Sequence, residues 1–224
     1  MIHLIDHENQ YIYARELDAI FRLRHRILSF YQKYHLKNIN GRLIDQFDTS
    51  NTLYLAKILP DGSVGASMRL NRTIPKSFLS EIVRLNTNEA PLGPTVWECT
   101  HYCVQKSIDS KSLFDEFCVA LIELALIWEI EALSFLIDTP SFVRAVAIGW
   151  DLKKIAAQDD KSKPGYTIGL LHITRDSLRQ ARRATGLETP QICVFRPDRW
   201  AAVQPQLPLN VALAAATGEG HHIN

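Results

Sequence analysis

Charge of one sign, paired cysteines, long apolar runs and glycine-rich loops are all scarce in these 224 residues. The 25 Lys and Arg are met by 24 Asp and Glu, a formal net charge of +1. A broad nucleic-acid surface needs a concentrated basic stripe, so that class is excluded. The four cysteines, Cys99, Cys103, Cys118 and Cys193, contain no Cys-x-x-Cys pair, and the expectation is reduced thiols in a cytoplasmic protein. The longest apolar run, within 117–129, is broken by Glu123 and Glu129 and falls short of a membrane span. The opening MIHLIDHENQ lacks the basic-then-apolar pattern of a secretory leader. Residues 104–117, VQKSIDSKSLFDEF, hold no glycine, which removes a Gly-rich pyrophosphate cradle. No repeat or Gly/Ser linker interrupts the chain. With 46% hydrophobic residues to fill a core, a single domain over 1–217 is expected, trailed by a disordered tail at 218–224.

Hydrophobic periodicity supplies the elements. Residues 2–6 read as a strand, and Glu8 to Tyr34 as a helix with Leu17, Ile20, Phe21, Ile27, Leu28 and Tyr31 on one face. The stretch 32–48 lacks a clean period and carries the turn signal Asn40-Gly41. Strands at 52–59 and 64–70 flank Pro60-Asp61-Gly62, a hairpin signal. A short helix at 77–85 and a strand at 94–104 follow. Then come a helix at 110–131 capped by Ser110 or Ser112, a strand at 132–138, a helix at 140–148, and strands at 150–156 and 166–173. A helix from Ser177, a strand at 191–195 and a helical tail over 198–217 complete the chain. Strands interleaved with helices indicate an α/β domain with a mixed sheet.

Polar residues on apolar faces mark the chemistry. Arg24 falls inside the helical stripe, at i+3 and i+4 from Phe21 and Ile20. An arginine there either snorkels to solvent or needs a carboxylate, since an unpaired buried guanidinium is too costly. The next carboxylates are Asp45 and Asp48, in a turn feeding the strand at 52–59; a solvated turn is the competing reading. Alternation sets Arg69 opposite Val64, Ala66, Met68 and Leu70. In the strand at 94–104, alternation groups Glu98, Thr100 and Tyr102 on one face, and Trp97, Cys99, His101 and Cys103 on the other. Ligands at strict i, i+2 and i+4 are not structural-zinc spacing, so no metal is expected. Glu98 in so apolar a strand points to pairing or catalysis.

Taken in order, Arg24, Asp45 and Asp48 in LIDQFDT, Arg69 in ASMRL and Glu98 in WECTHYCV resemble the N-acyl-homoserine lactone synthases, the LuxI-type makers of quorum-sensing signals. The similarity runs to about Trp150. It implies a fold related to the GNAT acyltransferases, a three-layer α/β/α arrangement whose mixed central sheet is splayed to admit an acyl-phosphopantetheine arm. It also implies a reaction. An acyl group from acyl carrier protein or coenzyme A forms an amide with S-adenosylmethionine, whose carboxylate then closes the lactone and expels methylthioadenosine. S-adenosylmethionine is the substrate, and no cofactor is implied. By the same resemblance Arg24, Leu28, Tyr34, Asp45, Asp48, Arg69 and His101 bind it, and Glu98 is the base that deprotonates its amine, through water. The acyl pocket is formed by Thr100, Tyr102, Phe135, Ile137, Phe142 and Val143. Three positions depart from the family pattern: Leu28 stands for phenylalanine, Tyr34 for tryptophan and His101 for arginine. The last removes a fixed charge. The family motif would need a bulge to bring positions 98 and 101 to one face. Two other readings share the acyl site: an N-acyltransferase for a different amine, such as an N-acyl amino acid synthase, and a non-catalytic relative. Arg144, Lys153 and Lys154, with Lys161 and Lys163, form a candidate basic patch for an acidic carrier protein, with a solvated face as the alternative.

Overall fold

The computed structural model describes residues 1–28, 38–81, 91–158 and 166–196. One eight-stranded mixed sheet runs through them. In chain order its strands are β1 (Ile2–Ile5), β4 (Leu53–Ile58), β5 (Val64–Arg72), β6 (Val96–Val104), β7 (Ala132–Asp138), β8 (Leu152–Gln158), β9 (Tyr166–His172) and β10 (Ile192–Cys193). A separate hairpin joins β2 (Asn38–Ile39) to β3 (Arg42–Leu43). Their spatial order is β10-β1-β4-β5-β6-β7-β9-β8, parallel at β1/β10 and β6/β7 and antiparallel elsewhere. Helix α1 (Ala14–Leu28) packs on one face through Leu17, Ile20 and Phe21 against Ile5, Tyr54 and Ala56. On the other face lie α3 (Ser110–Ile127), α4 (Thr139–Ala147) and α5 (Arg175–Thr185), around a core of Leu55, Leu70, Trp97, Phe117, Leu121 and Leu133. The short α2 (Phe78–Glu81) completes the set. The expected three-layer α/β/α arrangement is present.

The parallel pair β6/β7 organises the site. Its register runs from Val96↔Ala132 to Cys99↔Phe135 and stops there, although both strands continue. Beyond that point β6 stays with β5 while β7 stays with β9, so the sheet splays open.

Local chemistry explains where boundaries moved. The first helix begins at Ala14 because Asn9 bonds backward, its Nδ2 to the Leu4 carbonyl and its Oδ1 to the Asp6 amide, holding residues 6–13 in turns. Helix α3 is capped by Asp109, whose carboxylate accepts from the Lys111 amide, rather than by Ser110 or Ser112. It ends early, at Ile127, where Glu129 takes φ 54. Helix α5 starts two residues before Ser177, whose amide bonds the Thr174 hydroxyl. The Asn40-Gly41 signal is a two-residue hairpin turn with φ 51 and 77, a geometry these two residues favour. Val64 belongs with the α1 face, not with Ala66, Met68 and Leu70, because the β4/β5 register shifts at Lys57/Ile58. Glu123, read as an interruption of an apolar run, is buried and anchors an edge. Its carboxylate accepts from Arg182 and from the Gln191 and Ile192 amides at 2.8–2.9 Å, tying β10 and α5 to α3. The predicted elements and residues at 29–37, 82–90, 159–165 and 197–224, among them Tyr31, Tyr34, Lys161 and Lys163, lie outside the described residues. No described helix is long and apolar enough to cross a membrane.

Candidate active site

Arg24, on the buried face of α1, is fully enclosed and sits over the rings of Phe21 and Tyr54 at 5.4 and 5.1 Å. Its Nη1 donates to Asp48 Oδ1 at 2.7 Å. Asp48 also accepts from the Tyr54 hydroxyl at 2.9 Å and from the Asp45 amide at 3.0 Å. The Asp45 carbonyl in turn accepts from the Asp48 amide, and Asp45 Oδ1 from the Phe47 amide. Residues 45–48 thus form a self-bonded turn that fixes both carboxylates. Arg69 reaches them from β5: Nη1 lies 2.5 Å from Asp45 Oδ1 and 3.2 Å from Asp48 Oδ1, and Nε donates to Thr100 Oγ1 at 3.0 Å.

Thr100 and His101 stand where β6 bulges. Ser67 pairs with Cys103 and Arg69 with Thr100, so two residues of β6 oppose Met68 alone. His101 takes φ 55 there. The bulge overturns the alternation expected from the sequence. Tyr102 packs with Trp97 and Cys99 on the α3 side and Cys103 on the α1 side. His101 joins Thr100 and Arg69, its Nδ1 3.2 Å from Thr100 Oγ1 and its Nε2 3.7 Å from Asp45 Oδ2.

The electrostatics follow from burial and pairing. Burial alone would raise the Asp48 carboxyl, but Arg24 and Arg69 together hold it well below the usual carboxylate range. Arg69, which burial would push down, is raised instead by Asp48 and Asp45. Burial, with Arg69 and Arg24 adding to it, drives His101 well below the ordinary imidazole value, so it is neutral at pH 7. Some polar atoms remain unused. Arg24 Nε and Nη2, Arg69 Nη2 and Asp45 Oδ2 are buried without a hydrogen-bond partner. Buried polar groups in folded proteins are nearly always satisfied, so four such atoms in one cluster are candidates for contact with a ligand.

Beside the cluster, Thr100 and His101 line a cavity of about 270 Å³ in the splay between β6 and β7. Its walls include Leu28, Met68, Phe78, Cys99, Thr100, His101 and Tyr102, with Phe114, Phe117 and Leu121 from α3, Phe135 and Ile137 from β7, and Trp150. Of the acyl-pocket residues expected from the sequence, Thr100, Tyr102, Phe135 and Ile137 are there; Phe142 and Val143 are not. Helix α4 buries Ala145 and leaves Val143 facing solvent at 61% exposure, while Phe142 lies over Gly169.

Glu98 is fully buried but absent from the cavity wall. Both of its oxygens serve α2. Oε1 accepts from the Phe78 amide at 2.7 Å, and Oε2 from the Ser77 hydroxyl at 2.7 Å and the Leu79 amide at 3.3 Å. Burial raises its carboxyl, and these three bonds oppose the rise. Sequence reasoning missed Tyr54, which stands opposite Arg69 in the β4/β5 register, and Phe78, which links the Glu98 anchor to the wall. Among the described residues no group of three or more His, Cys, Asp or Glu is placed to hold a metal. Arg144 is committed to Asp115 through two of its nitrogens, while Lys153 and Lys154 are exposed on β8.

An apolar slot in a splayed mixed sheet thus lies beside a buried set of paired and half-used charges. The family model for autoinducer synthases matches residues 8–138, and the chain belongs to that family. A curated relative, the isovaleryl-homoserine lactone synthase of Bradyrhizobium diazoefficiens, is 31% identical over 144 residues. That match covers 62% of this chain and 64% of the relative, just under two thirds of its length. Among solved structures, the CoA-dependent acyl-homoserine lactone synthase MesI is 26% identical with a TM-score of 0.75, covering 86% of this chain and 99% of its own. The CoA-dependent synthase BjaI, solved with SAM and isopentyl-CoA, shares the fold at 23% identity and a TM-score of 0.77, covering 97% and 99% of the two chains.

Proposed function

We propose that this protein is an N-acyl-homoserine lactone synthase that acylates the amine of S-adenosylmethionine and then closes the lactone with release of methylthioadenosine. The unused polar atoms of the charged cluster, which meets the apolar slot through Thr100 and His101, carry this reading. The free donors of Arg24 and Arg69 suit the substrate carboxylate, and the free oxygen of Asp45 suits its ammonium. Leu28 and His101 border the same space. The acyl chain lies along Tyr102, Phe135 and Ile137, and backbone amides of the diverging strands hold the thioester oxygen. The donor is acyl-CoA rather than acyl carrier protein. The relatives described as CoA-dependent support this, as does the tie of Arg144, one of the candidate docking cations, to Asp115.

Because the cluster recognises an amino-acid zwitterion, the reading stands or falls on the acceptor. Mass spectrometry of a reaction with S-adenosylmethionine and a panel of acyl-CoA and acyl-carrier-protein thioesters will show acyl-homoserine lactone with an equal amount of methylthioadenosine. An acylated amino acid formed without methylthioadenosine would replace this reading with that of an N-acyltransferase for another amine.

A further inference from the structure

We propose that His101 is the general base of amide formation: the acceptor's ammonium sits between its Nε2 and Oδ2 of Asp45, and the imidazole takes the proton that frees the nitrogen lone pair. This rests on the synthase reading above.

The extra residue in β6 turns the His101 ring out of the strand's alternation and places it where the charged cluster meets the acyl slot. The ring is 3% exposed, so its neighbours are protein groups. These are Arg24 from α1, Asp45 and Asp48 from the turn before β4, Arg69 from β5, and the edge of Phe78 from α2, with ring centroids 5.3 Å apart. Thr100 Oγ1 already accepts from Arg69 Nε and has a second lone pair. When Nδ1–H donates into it across 3.2 Å, the tautomer is set and Nε2 keeps its lone pair. That nitrogen lies 3.7 Å from Asp45 Oδ2, an oxygen with no partner. Two acceptors at that separation do not bond each other, and one N–H donor group about 2.9 Å from each would reach both.

The other ionisable groups nearby are committed. Guanidinium groups cannot accept a proton. Asp48 holds Arg24, Arg69 and Tyr54. Glu98 is spent on α2, and Asp138, at the far side of the slot, caps α4 through the Ser141 amide. Cys99 and Cys118 line the cavity, but burial keeps both as thiols.

The ammonium gives one proton to His101 Nε2, and the freed lone pair forms the N–C bond at the thioester carbonyl. Collapse of the tetrahedral adduct breaks the C–S bond, and sulfur leaves with the bonding electrons. The departing thiolate takes the proton held by the imidazolium, and the nitrogen's second proton passes to solvent as the amide forms.

The test compares wild type with His101→Asn, since asparagine tolerates φ near 55, and with His101→Gln. Methylthioadenosine binding serves as the check on folding. The expected result is a fall in kcat of about 10²-fold or more, with KM for S-adenosylmethionine changed by less than about threefold. The acid limb of kcat/KM, below pH 6.5 in wild type, disappears in both variants, and added imidazole restores part of the activity of His101→Ala. Variants that keep both kcat and the acid limb, with that limb abolished by Glu98→Gln, would overturn His101 while leaving the synthase reading intact. A wild-type protein that binds no S-adenosylmethionine overturns both.

Discussion

Replacing Asp48 with asparagine removes one charge without changing side-chain shape, at the most heavily bonded point of the charged cluster. The carboxylate accepts from Arg24, Tyr54 and the Asp45 amide and lies 3.2 Å from Arg69. Its side chain and those of both arginines are at most 1% exposed. In Asp48→Asn, Arg69 keeps Asp45, and Arg24 is left without a carboxylate partner among the described residues. Losing one member of a buried ion pair costs about 3–5 kcal/mol, because the remaining charge has neither water nor a counter-ion. For a chain of this length each kcal/mol moves Tm by about 2–4 °C, so a fall of roughly 6–20 °C is expected at pH 7. The pH dependence adds a second signature. Asp48 titrates lower in the folded protein than in the unfolded chain, so its stabilisation is complete above the unfolded value near 3.9. It is lost as pH falls toward the folded value, and the gap between wild type and variant should narrow below about pH 4. Thermal melts of both proteins from pH 8 to pH 3 measure this. A Tm difference under about 2 °C at pH 7 would refute the claim that the cluster is a buried, mutually dependent network.

Two further substitutions separate roles that the sequence alone confuses. The Tyr102 hydroxyl is buried without a partner, so Tyr102→Phe should leave Tm unchanged or raise it slightly, by no more than about 1 kcal/mol of stability; a larger loss would reveal a bond to that hydroxyl. Glu98→Gln sets amide hydrogens against donors from Ser77, Phe78 and Leu79, and should cost about 1–3 kcal/mol by loosening α2. If stability is unaffected while turnover collapses, Glu98 acts on substrate rather than on α2.

Helix and strand periods carried much of the site. The 3.6-residue period set Arg24 within an apolar stripe, and alternation set Arg69 opposite Ala66, Met68 and Leu70, though not Val64 as counting also expected. An enclosed arginine then implied carboxylates, which Asp45 and Asp48 supply. The rest depended on events that a period does not record. The bulge at His101 adds one residue to β6 with no glycine, asparagine or aspartate to mark it, so simple counting reversed the faces of His101, Tyr102 and Cys103. The bonds of Glu98 to Ser77, 21 positions back, come from the approach of α2 to β6 in space. Val143 was misplaced because α4 turns Ala145 into the core, and so short a helix has too few apolar positions to fix its buried face by period. Tyr54 was hidden because strand register, which sets it opposite Arg69, is not written in either strand alone.

The most direct test of the account is the pair of products from purified protein, S-adenosylmethionine and acyl thioesters presented on coenzyme A and on carrier protein. Equal amounts of methylthioadenosine and acyl-homoserine lactone, formed faster from the coenzyme A thioesters, are the predicted result. Absence of both products across the panel, from folded protein, would contradict the central claim that the Arg24, Asp45, Asp48 and Arg69 cluster and the adjoining slot form a lactone synthase.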